Sequence, residues 1–416
     1  MRELIGPFSQ IITMANLPDR GPINDENLDI IEDGGIVVEN EKIIEIGIFS
    51  QLNKNTSSIR EINFPCVIVP GFIDSHTHVC HFGNRSDEYA KRNSGISYQQ
   101  ILAEGGGIHN TMKSTSNCTN DQLEGDTLRR LNRHFLDGVL TCEVKSGYAP
   151  NLDDEIRMLE IINKIDNDNE IDLIPTCLAA HVTPKGFESS KSYLDSILND
   201  LLPKIKEDNL SNRVDIFIEE KAFSVSEASA FLDKVKNNFL ITAHANQFTS
   251  GGVKVGVDNN AVSVDHLEVI NDQEIKYLSK SETTGVILPG CSLGLGIPFA
   301  PIRKLLDNNC KVSIASDWNP GSAPMGDLLM QAALLGSLEK LSNAEVLAGI
   351  TCRSANALSL DDRGSLEKGK IADIIGFETN DFRDILYNQG KLKPSFICKR
   401  GKIYNKYLIL NCESNN

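Results

Sequence analysis

The sequence predicts an α/β protein: a closed (β/α)8 barrel carrying a small β-sandwich domain built from both chain ends. Three observations predict it. Short apolar runs alternate with helical stretches through the middle of the chain. There are eight such runs over about 250 residues, the span of a TIM-like barrel. The two ends read as strands with no helical pattern between them. The runs are 66–73, 139–144, 171–178, 214–218, 239–242, 261–264, 284–288 and 311–315. Helical periodicity falls between them at 122–135, 153–165, 192–205 and 226–235. The competing architecture is an open doubly wound sheet. It lacks support, because no Gly-x-Gly-x-x-Gly follows the first strand.

At the ends, 34–47 reads as two strands around a polar turn at 39–42, and 371–377 and 396–404 are also strand-like, the latter with a turn at 399–402. These segments carry no catalytic pattern. The expected division is therefore 1–65 with 365–416 as one small β domain, and 66–364 as the barrel. The polar stretches 53–58 and 411–416 are expected to be loose.

Composition narrows the function. A chain of 416 residues with 40% hydrophobic and 24% charged content is an ordinary globular one, not a disordered one. Its formal net charge of -16 argues against a nucleic-acid partner, whose phosphates need Lys and Arg. No run of about 18 apolar residues occurs, so no membrane span is expected. The first residues lack a basic stretch followed by an apolar core, so no secretory signal is expected. Ten cysteines without a Cys-x-x-Cys pair fit reduced thiols and a cytoplasmic location.

Only eight histidines occur, so their placement is informative. His76 and His78 follow an apolar strand, and residues two apart on a strand face the same way. His181, His244 and His266 each end a barrel strand, and Asp317 ends the last. Barrel enzymes place their sites at the C-terminal mouth, so all six converge there. Imidazole and carboxylate ligands suit zinc or iron.

Pro70-Gly71-Phe72-Ile73-Asp74-Ser75-His76-Thr77-His78 resembles the first-strand motif of the amidohydrolase superfamily. Residues 364–373 resemble the re-entry of many members into the small β domain. More narrowly, 78–85, 103–108, 143–148 and 317–322 resemble the imidazolonepropionase family, ring-opening enzymes of histidine breakdown. The resemblance implies hydrolysis of the ring amide of 4-imidazolone-5-propanoate to N-formimidoyl-L-glutamate. It implies one zinc or iron ion per subunit, held by His76, His78, His244 and Asp317. It places substrate groups at Arg85, Tyr98, Tyr148, His181, Gln247, Asn319, Gly321 and Ser322, and it implies a homodimer. Another cyclic-amide hydrolase or a deaminase of the same superfamily is the alternative, and a scaffold on a dead barrel is a third reading. Arg85 together with Tyr148 distinguishes the first two, since a substrate without a carboxylate has no need of a planar bidentate donor.

The expected roles follow. Asp317 is the general base, with His266 opposite it as hydrogen-bond partner of water or oxyanion; the base could also be His266. His181 donates to the ring carbonyl. Gln247 stands where some relatives have glutamate, so its part is open. His81 is expected to be a bystander. Lys145 is expected to make an ion pair inside the barrel. The Gly105–Gly107 run either presents backbone N–H groups to the ligand or is a flexible loop.

Overall fold

A computed structural model describes residues 2–56, 58–96, 100, 101 and 105–405. Tyr98 and 411–416 lie outside the described residues. The first strand, β1 (Glu3–Ile12), is not among the expected runs. A register shift between Ile5 and Phe8, at Gly6-Pro7, breaks the alternation by which a strand is recognised. β2 (Ile30–Glu39) and β3 (Lys42–Ile48) form the expected hairpin. Asn40 and Glu41 turn it at φ 49° and 68°, the left-handed two-residue turn whose twist matches paired strands. Residues 53–55, expected to be loose, make one 3-10 turn after the short helix Phe49–Leu52. β4 (Ile59–Glu61) then pairs β1 in parallel.

The expected strand 66–73 is in fact two. β5 (Val67–Pro70) joins the small sheet beside β1, and β6 (Phe72–Asp74) opens the barrel. Consecutive amides part company at Gly71: its N–H bonds Asp373 O in the small domain, and that of Phe72 bonds Gly138 O in the barrel. A uniformly apolar run hides such a switch, because both strands are buried on both faces. The boundary between the sheets thus falls at Gly71.

β7 (Val139–Lys145), β8 (Asp172–Ala180), β9 (Arg213–Ile218), β10 (Leu240–Ala245), β11 (Ser263–His266), β12 (Thr284–Ile287) and β13 (Lys311–Ile314) follow as parallel neighbours in sequence order. The seam between β13 and β6 is closed beyond the strand ends. His78 N–H donates to Trp318 O at 2.9 Å and Asp317 N–H to His76 O at 3.1 Å. The backbone that closes the barrel therefore also carries three of the expected metal ligands.

The helices Asn120–Leu136, Leu152–Asp168 and Val225–Val235 match expectation, capped by Thr119, Asn151 and Ser224. The expected helix at 192–205 is broken into Ser190–Ser196 and Leu202–Glu207 around a widened π turn at Ile197–Leu201. Pro203, which cannot donate to residue 199, follows that turn.

The chain returns to the small sheet as β14 (Ile374–Phe377), β15 (Phe396–Lys399) and β16 (Lys402–Asn405), in the order β16-β15-β14-β5-β1-β2-β3. Ile43 N–H bonds Lys370 O and Ala372 N–H bonds Glu41 O. The β2–β3 end is thereby tied to the approach to β14, several strands away, and the sheet closes over its own core of Ile5, Phe8, Ile36, Ile68, Ile374 and Phe396. At the junction, Asp172 at the base of β8 takes Lys399 Nζ at 2.9 Å and Arg400 Nη2 at 3.0 Å.

Candidate metal centre

The structure brings the expected histidines together at the C-terminal mouth. Ring centroids lie 4.5 Å apart for His76 and His244, 5.2 Å for His76 and His78, and 5.3 Å for His244 and His266. His181 stacks on His78 at 5.4 Å. Asp317 joins them, with Oδ1 3.6 Å from His76 Nε2 and 3.5 Å from His78 Nε2.

Proton bookkeeping at this cluster points to a cation. His76 Nδ1–H donates to Asp265 Oδ2 at 2.7 Å, and His244 Nδ1–H faces Asp215 at 3.1–3.2 Å. Each therefore presents a bare lone pair at Nε2. His244 Nε2 lies 3.2 Å from His78 Nε2, and His76 Nε2 has no hydrogen-bond partner among the described residues. The lone pairs of His76 and His244, the Nε2 atom of His78 and a carboxylate thus face one point, a donor set that suits a positive ion. Burial pushes the Asp317 carboxyl up to about 7 and holds the imidazoles of His76 and His78 well below their ordinary value. A cation at that point would favour the ionised carboxylate and the bare nitrogens alike.

Beneath the ligands lies the ion pair expected of Lys145, widened into a charge network whose carboxylates the sequence reading did not name. Lys145 Nζ sits 2.7 Å from Glu143 Oε1, 2.8 Å from Asp215 Oδ2 and 3.8 Å from Asp265 Oδ2, all buried. Burial opposes a charge on Lys145, but these carboxylates hold its ammonium above its ordinary range. Burial would likewise raise Asp215; Lys145 and His244 pull it well below. Asp215 and Asp265 fix which nitrogens of His244 and His76 carry hydrogen, and Lys145 holds those two carboxylates. The signal in the sequence is a charge inside an otherwise apolar strand, as in Val214-Asp215-Ile216 and Val264-Asp265-His266.

Most of the remaining expected residues line one cavity of about 770 Å³: Arg85, Tyr148, His181, Gln247, His266, Asn319 and Ser322. Asn319 Oδ1 accepts from the N–H groups of Gly321 and Ser322, both at 2.8 Å. That shapes the turn after Asp317 and sets Gly321 against Arg85. A Cβ at Gly321 would lie 2.2 Å from Arg85 Nη1, so any side chain there would displace the guanidinium. Gln247 donates to Cys291 Sγ at 3.1 Å. His81 bonds the backbone of His78 at 2.9 Å and is not part of the ligand cluster. Tyr98 lies outside the described residues. His266 and Asp317 hold φ of 89° and 52°, backbone strain of the kind that marks functional positions. Burial opposes charge on His266, but Glu268 and Cys291 beside it raise its pKa well above the ordinary value.

Two expectations need correction. His181 Nδ1 meets Gly147 O at 3.2 Å. A carbonyl only accepts, so Nδ1 carries the hydrogen and Nε2 of the neutral ring is an acceptor. Burial lowers the His181 pKa to about 3, so the neutral ring stands. His181 is thus set to accept, and does not fit the expected donor to a ring carbonyl. Two amides of the glycine run are also committed elsewhere: Gly107 N–H bonds Glu88 Oε1 at 2.9 Å and Gly106 N–H bonds Ile101 O at 3.0 Å. Neither amide is offered to a ligand.

Residues 240–386 match the Amidohydrolase family. The imidazolonepropionase of Fusobacterium nucleatum is 36% identical over 407 residues, covering 96% of this chain and 98% of its own. That of Bdellovibrio bacteriovorus is 37% identical over 388 residues, 91% of this chain and 90% of its own. Among solved structures, a triazine hydrolase from Arthrobacter aurescens superposes with a TM-score of 0.73 at 16% identity, covering 99% of this chain and 98% of its own. A zinc-bound adenosine deaminase from Xanthomonas campestris gives 0.72 at 13%, over 99% and 97%. At such identities the two structures speak for the fold alone.

Proposed function

The chain belongs to the imidazolonepropionase family of cyclic-amide hydrolases, and from that premise we propose how its residues open the ring of 4-imidazolone-5-propanoate. The observation that carries the reading is the convergence of three imidazole nitrogens and the Asp317 carboxylate at one face of a cavity that Arg85 also lines. His76, His78, His244 and Asp317 fit a divalent cation, zinc or iron, one per subunit. Such a cation supplies an activated water at neutral pH and polarises the ring carbonyl.

Asp317 takes the proton from the attacking water and returns it to the leaving ring nitrogen as the C–N bond breaks. The carbonyl carbon, now carrying the water oxygen, remains in the opened product as its new carboxylate. His266, held by Glu268, donates to the oxyanion. His181 accepts from a ring N–H, the role its tautomer permits. Gln247, Tyr98, Tyr148, Asn319, Gly321 and Ser322 shape and contact the bound ring. Arg85 takes the propionate arm, because a guanidinium matches a carboxylate in plane and in charge. We also propose a homodimer, as the family likeness implies, in the cytoplasm. The cysteines among the described residues are all free, which is consistent with that location.

The test is ring opening of freshly prepared imidazolone propionate, followed in the ultraviolet, before and after chelation. The expected result is hydrolysis that chelator abolishes and zinc or ferrous ion restores. No turnover by metal-replete protein would overturn the assignment.

A further inference from the structure

Glu88 belongs to none of the groups assigned above, yet one buried carboxylate here joins two segments of the cavity wall. It lies in the helix Ser86–Asn93, in the first loop of the barrel, with its side chain 6% exposed. Its Oε2 accepts from Arg85 Nε at 2.8 Å and stands 2.7 Å from Arg85 Nη2. Its Oε1 accepts from Gly107 N–H at 2.9 Å and from Asn110 Nδ2 at 2.8 Å. The two oxygens thus divide their work: one grips the guanidinium, the other the turn that starts the helix Ile108–Asn117.

The opposite side of the guanidinium is fixed as well. Arg85 Nη1 packs against Gly321, whose carbonyl accepts from Arg92 Nη2 at 3.1 Å. Arg92 also lines the cavity. The plane of Arg85 is therefore clamped between Glu88 and Gly321. A guanidinium on a long flexible stem loses most of its rotamer freedom there before any ligand arrives.

Two physical effects of Glu88 oppose each other. Its charge weakens the pull of Arg85 on an anion, and its grip aims the guanidinium. Arg92, on the same wall, places a second guanidinium near that of Arg85.

We propose that Glu88 is a positioning residue for the substrate's carboxylate arm, with aim outweighing charge. It acts through Arg85 and the Gly107 turn and does not touch substrate. This rests on the proposed reading of Arg85 as the arm's receiver.

The experiment measures steady-state kinetics of metal-replete wild type, Glu88→Gln and Asn110→Ala on two rings, one bearing propionate and one bearing the corresponding propionamide. For Glu88→Gln, KM for the propionate ring should rise roughly tenfold or more, as expected for a misaimed contact. Its kcat should change far less, and its preference for propionate over propionamide should collapse by a similar factor. Asn110→Ala removes one tether only and should shift the same preference by a smaller factor, so a test survives if Glu88→Gln fails to fold. An unchanged or lowered KM for the propionate ring, or an equal loss on both rings, would overturn the proposal. A wild type that treats both rings alike would instead remove the reading of Arg85 on which it stands, and the proposal with it.

Discussion

Asp317→Asn lowers kcat by roughly 10³-fold, near the middle of the range for losing a positioned acid-base group. The substitution keeps size and hydrogen-bonding shape, so the barrel seam, made by the backbone of Asp317 with His76, should hold. What is lost is the negative charge facing three imidazole nitrogens and the group that carries the proton from water to ring nitrogen. Both losses fall on the reacting atoms. The measurement is single-turnover hydrolysis at saturating zinc, which separates loss of chemistry from loss of metal. Activity within tenfold of wild type at full metal loading would move the base to another residue, with His266 the next candidate.

Lys145→Met has a different signature: it unsettles the protein first and the site with it. Methionine fills a similar volume but leaves Glu143, Asp215 and Asp265 buried around no cation. Removing one partner from a buried charge cluster costs about 3–5 kcal/mol. The aspartates that hold His76 and His244 would then repel each other, and metal affinity should fall by about 10–100-fold, the usual effect of losing the groups that orient ligands. A denaturant melt of the apo protein together with a zinc-binding titration checks both. A variant as stable as wild type that binds zinc equally well would show that Asp215 and Asp265 keep their places unaided.

Much of this was legible in the sequence, for a physical reason. A parallel barrel strand is buried on both faces, so it reads as a short apolar run, and its C-terminal tip is where polar chemistry becomes possible. Histidines at such tips stand out, and His76, His78, His181, His244 and His266 did. The supporting charges were harder to see. Asp215 and Asp265 lie within the strands, and nothing local tells which histidine each one serves. Glu88 looks like any acidic residue near a helix start until Arg85 and Gly107 are folded against it. The direction of the His181 hydrogen bond depends on Gly147 O, which a spacing argument cannot supply; φ of 101° at Gly147 lets that carbonyl meet the ring. The split of 66–73 between two sheets was invisible for the opposite reason, because both halves are equally apolar. The strand Glu3–Ile12 escaped because Gly6-Pro7 shifts its register.

The central claim is that four side-chain atoms from three parts of the chain share one cation. X-ray absorption at the metal edge of the purified protein, with the metal content measured on the same sample, tests it most directly. The account predicts about one zinc or iron per chain, in a shell of nitrogen and oxygen donors with the multiple-scattering pattern of about three imidazoles. The described residues include one other close group of possible ligands, His266, Glu268 and Cys291. A sulfur shell at the thiolate distance, or a spectrum without imidazole scattering, would put the ion elsewhere and contradict the account.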